Sequence, residues 1–199
     1  MKTAPVQKTI KVDPAYLPEL KKFRDDIAAK SNLVRSTSDR LTAMEADEKR
    51  LAEESEQADR AADYKDASAC QNALVLRAQL ELCRRSIQRT MDEAPLKQVE
   101  LADTIRGLNG PIGRAIKPEQ DALKAEVEAL ATSLYGKGDK EKINFACGQA
   151  WNTSPKLVVF NNCLLKTWMR AGVPVLFESD EALRVLDALI EGNNPCPSV

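Results

Sequence analysis

Five cysteines and no histidine limit the chemistry available to this chain. The thiols are Cys70, Cys83, Cys147, Cys163 and Cys196, an odd number with no C-x-x-C pair. Zinc sites are built from close Cys or His pairs, so no metal is expected. Without histidine, neither a Ser–His–Asp nor a Cys–His arrangement has its base. Cys147 and Cys163 are lone candidate nucleophiles with no neighbouring base in the sequence, and the thiols read as reduced, small, mostly buried apolar groups. Adjacent carboxylates occur at Asp25-Asp26, Glu53-Glu54 and Asp180-Glu181. On charged helices these are solvent faces or end charges, not the cleft that acid–base catalysis needs. The chain therefore reads as non-enzymatic, with no cofactor and no small-molecule substrate.

A second chemistry is phosphate binding. GLNGPIG (107–113) contains G-x-x-G, but no strand precedes it and no G-K-[ST] follows, so it reads as a hinge. Further on, Lys137, Lys140, Lys142, Lys156, Lys166 and Arg170 are interleaved with Trp151 and Trp168. A basic helical face of this kind can contact several phosphates, which makes nucleic-acid binding the alternative reading. Against it stand a net charge of −1 and the acidic run from Glu178 to Glu191.

The elements that carry these groups are helical. The composition is 30% charged and only 5% aromatic, as in helical arms. Residues 1–12 read as a tail or short edge strand, from the alternation in KTIKV. Asp13-Pro14 is a helix start, with Asp13 as N-cap. Apolar residues then recur by threes and fours at Leu20, Phe23, Ile27, Val34, Leu41, Met44, Leu51 and Ala58, a coiled-coil stripe interrupted by Ser31, Ser38, Glu48 and Ser55. A helix of about 70 Å follows from a 1.5 Å rise per residue.

A cleaner stripe begins at Ala73 and includes Leu76, Leu80, Cys83 and Ile87. A kink or restart is expected at Pro95 and a stop at Gly107. The two stripes are out of phase, so residues 62–68 hold either a stutter in one long helix or the turn of a hairpin. A hairpin centred between Lys65 and Asp66 sets Ala58 against Ala73, Leu51 against Leu80, Glu48 against Cys83 and Met44 against Ile87. Asp66 is then free to cap the second helix. The hairpin is the favoured reading, although no Gly or Pro marks its turn.

Past the hinge, Pro118 reads as the start of a helix with a stripe of Leu123, Val127, Leu130 and Leu134, stopped at Gly136. The segment 139–192 reads as short helices: one over DKEKINFACGQAW, one opened by Ser154-Pro155, and one capped by Ser179. VPVLF (173–177) reads as a short strand, and 193–199 as a loose tail.

The expected fold is all-α, with a coiled-coil helical hairpin at 13–106, a hinge at 107–113 and a small helical C-terminal domain at 114–192. The expected role is that of a structural, scaffold or adaptor protein acting through the arm on a protein partner or on further copies of itself. Val34, Leu41, Met44, Leu51, Leu80 and Ile87 are the candidate contact residues. If these seal a hairpin within one chain, the partner surface lies elsewhere. The architecture is of a type found among phage assembly components, an association of shape alone. The start has no signal-peptide run and no apolar stretch reaches membrane-spanning length, so a cytoplasmic protein with no membrane contact is expected.

Overall fold

The computed structural model describes residues 10–62, 65–136, 138–153 and 174–193. Asp13 opens the first helical turn as expected. Its carboxylate accepts from the Ala15 amide at 3.0 Å, capping a 3-10 turn over Pro14–Tyr16. Helix α1, Leu17–Ala61, follows directly. The bend comes after Ala61, and α2 spans Ala67–Gly107. Asp66 caps α2, accepting from the amides of Ser68 at 2.9 Å and Ala69 at 3.1 Å. A side-chain cap thus does what Gly or Pro would otherwise do at this turn. Helix α3 covers Asn109–Tyr135, α4 covers Lys140–Thr153 and α5 covers Val175–Glu191. The fold is an all-α helical hairpin with further helices, without a strand among the described residues.

Several local expectations are corrected. The hinge expected at 107–113 is a break at Leu108 followed at once by α3, with Leu108, Pro111 and Ile112 buried. Pro111 lies in the first turn, where its missing N–H has no partner to lose, and burial of Ile112 and Ile116 outweighs the poor helix propensity of glycine. Pro118 lies inside α3 rather than opening it. The helix α2 runs through Pro95 without the restart that is one of the two outcomes expected there. The short strand expected at 173–177 is absent: Val175–Phe177 form the first turn of α5. Ser179 is buried one turn in and donates to the Leu176 carbonyl at 2.8 Å. Residues 10–12 form no strand. The stripe on α3 is only partly used, since Leu123 is buried while Leu130 and Leu134 are exposed. The helix expected after Ser154-Pro155 lies outside the described residues.

The chain divides into two compact units. One, the base, takes residues 1–29 and 101–199; the other, the arm, takes 30–100. The arm is shorter than the expected 13–106 because both of its roots are committed to the base. Leu20 and Ile27 of α1, and Leu101 and Ile105 of α2, are fully buried there. They join Leu108, Ile112, Ile116 and the α5 face of Ala182, Val185, Leu186 and Leu189, which has the i, i+3, i+4, i+7 spacing of an amphipathic helix. The Asp13 amide donates to the Ala115 carbonyl at 2.9 Å. Arg24 reaches Asp187 at 2.9 Å and Arg114 reaches Glu19 at 2.7 Å. The bond to Asp187, and then that to Asp25, hold the Arg24 guanidinium above its ordinary range. Helix α4 packs against α3.

Candidate interaction surface on the arm

Within the arm, α1 and α2 meet along a seam. On α1 it is formed by Val34, Thr37, Leu41, Met44, Glu48, Leu51, Ser55 and Ala58, all buried or half-buried. On α2 it is formed by Ala73, Leu76, Leu80, Cys83, Ile87, Thr90, Ala94 and Lys97, buried or half-buried in steps of three and four. Met44 touches both Cys83, whose thiol donates to its carbonyl at 3.5 Å, and Thr90. These lie one turn to either side of Ile87, the partner expected from the sequence. Arg84 binds Glu48 at 2.8 Å, beside the expected Glu48–Cys83 level. Nearer the tip, Arg77 reaches both oxygens of Asp59, as an aligned hydrogen bond at 3.0 Å and as a looser ion contact at 2.8 Å. Near the root, Lys97 donates to Thr37 at 3.2 Å.

The two seam threonines also bond within their own helices. Thr37 donates to the Leu33 carbonyl at 2.7 Å and Thr90 to the Ser86 carbonyl at 3.0 Å, the back-bonding that lets a hydroxyl sit on an apolar face.

All six candidate contact residues, Val34, Leu41, Met44, Leu51, Leu80 and Ile87, lie on this inward seam. The hairpin itself occupies them, so a partner surface must be sought on the outside of the arm.

The two outer faces differ sharply. A shift of two residues moves about 200° around a helix. Applied to α1, it gives Ala43, Ala46, Arg50, Glu53, Gln57 and Arg60, all exposed and mostly polar. Arg50 is braced there by Asp47 and Glu54, and Arg60 by Glu56. Applied to α2, it gives Val75, Ala78, Leu82, Arg85, Arg89, Asp92, Leu96 and Val99, again in steps of three and four, and all exposed. Leu82 is 63% exposed, Leu96 65% and Val99 56%. Helix α2 is therefore two-faced, with a second heptad stripe backing the first. The sequence reading followed only the stripe that alternates with α1. The signal for the other was present as the same spacing displaced by two positions.

Of the basic candidates, Lys140 and Lys142 lie within the described residues. Lys140 and Lys142 are exposed at the start of α4, and Lys142 pairs with Asp139 at 2.7 Å. Lys137, Lys156, Lys166 and Arg170 lie outside the described residues. Cys147 borders an open depression of about 400 Å³ between α3 and α4, with Lys124, Val127, Glu128, Ile143 and Asn144. Cys70, Cys83 and Cys147 form no disulfide among the described residues. Of the paired carboxylates, Asp25 accepts from Arg24 and Glu54 from Arg50, and Glu53 and Asp180 are exposed. No helix is long and apolar enough to cross a membrane among the described residues. No protein-family model, no curated protein and no solved structure matches the chain.

Proposed function

We propose that this chain is a non-enzymatic structural or adaptor protein of the cytoplasm, which joins a larger assembly through its helical-hairpin arm. The outer stripe of α2 is the surface that makes the contact. What supports this reading is the contrast between Leu82, Leu96 and Val99, more than half exposed in heptad register, and the polar back of α1. A lone exposed leucine means little, but apolar residues at both ends of one helix face, in heptad register, fit a site for another helix. The seam of the hairpin already satisfies α1, so the second stripe is not needed to fold the arm.

The test is a cross-linked pull-down from the native source, comparing the wild-type chain with Leu82→Glu combined with Leu96→Glu. The reading predicts that a protein cross-linked to the arm with the wild-type chain is lost with the variant, while helix content is unchanged. Identical recoveries from both chains would overturn it.

A further inference from the structure

The stripe carries its own partner code. Its positions alternate as Val75, Leu82, Arg89 and Leu96 on one track and Ala78, Arg85, Asp92 and Val99 on the other. The ends are apolar and the centre is charged. Arg85 is held by Glu81 at 3.1 Å and Asp92 accepts from Gln88 at 2.9 Å. Arg89 makes no ion pair among the described residues.

From this pattern we infer that the arm pairs with a second copy of itself, α2 against α2 in antiparallel orientation, an inference that rests on the interaction reading above. A parallel, in-register pair would stack Arg85 on Arg85, Arg89 on Arg89 and Asp92 on Asp92, three repulsive layers. Antiparallel helices instead bring one track against the other. One register sets Leu82 against Val99 of the second copy, Arg85 against Leu96, and Arg89 against Asp92. The two-fold symmetry repeats each layer. The aliphatic stem of Arg85 covers Leu96 while its head reaches solvent. Arg89 gains two-fold related carboxylate partners at the centre. At the flanks, Gln79 lies opposite Glu100 and Ser86 opposite Glu93, so no like charges meet. A slip of one heptad loses this match: Arg85 then faces Arg89, and Leu82 faces Asp92. The charged centre thus favours this register over that slip, as polar core positions do in coiled coils.

The experiment is a charge swap on the full-length chain, read by sedimentation over a wide protein range. The wild type should show a concentration-dependent dimer. Arg89→Asp alone and Asp92→Arg alone should each weaken it by about tenfold or more, the scale of a close interfacial charge pair. The double variant Arg89→Asp with Asp92→Arg should restore it. Circular dichroism on each variant establishes that the helices persist. A monomer at all concentrations, or a dimer indifferent to the swap, would overturn the self-pairing. If the wild type is monomeric yet the Leu82→Glu, Leu96→Glu chain still loses a cross-linked protein, the self-pairing falls and the interaction reading stands. If neither measurement depends on the stripe, both fall.

Discussion

The base and the arm are built from the same two long helices but hold together by different means. In the base, Leu20, Ile27, Ile105, Ile112, Ile116 and Leu186 are fully buried. In the arm, most seam residues are only half-buried, and four of the six buried there are polar: Ser31, Thr37, Ser55 and Thr90 beside Val34 and Ala73. A two-helix seam has no third element to cover its edges, so burial stays partial however regular the stripe. The lesson is that heptad spacing reports which residues face inward, but not how much water they lose.

The strongest way to break this contrast is to truncate matching side chains in each unit. Ile116→Ala should cost about 2–5 kcal/mol, the range for a fully buried aliphatic side chain. Leu51→Ala, at a half-buried seam position, should cost about 1 kcal/mol. Denaturant unfolding of the two variants checks the ratio, and equal losses would mean that the arm is as tightly packed as the base. Next in size is Asp66→Ala. It removes the cap that accepts two amides at the start of α2 and should cost about 1 kcal/mol, read as faster amide exchange over residues 67–70. The smallest effect belongs to the ion pairs across the arm. A double-mutant cycle on Glu48 and Arg84, both partly exposed, should give about 0.5 kcal/mol and shrink as salt is added.

Much of this architecture was legible in the sequence. The phase break between the stripes at Ala58 and Ala73 located the hairpin, and Asp13 and Asp66 were readable as caps because a side-chain acceptor before a helix has a local, sequence-near partner. The proline signals and the glycines Gly110 and Gly113 misled, whereas the stops at Gly107 and Gly136 stand where they were expected. Pro111, Pro118 and Pro95 all sit within helices, because tertiary burial of Ile112, Ile116 and Leu101 overrides local propensity, and propensity is all that a single chain displays. The candidate contacts left inside and outside open for a related reason. A stripe shows that a face is apolar, and only the partner helix shows which of two stripes is already occupied.

The base is discontinuous in the chain: its core draws on described residues from 1–29 and from 101–199, with residues 30–100 intervening. To assemble that core from an open coil, a long loop must first close, and the entropic cost of closure grows with the logarithm of loop length. The hairpin removes most of that search. Its contacts nearest the tip, such as Asp59 with Arg77, are close in sequence and can form first. Zippering from there towards Val34 and Lys97 delivers Ile27 and Leu101 already in proximity. On this expectation the arm guides the folding of the base. Refolding should slow sharply when the tip is cut between Ala61 and Ala67, although the contacts of the finished core are unchanged.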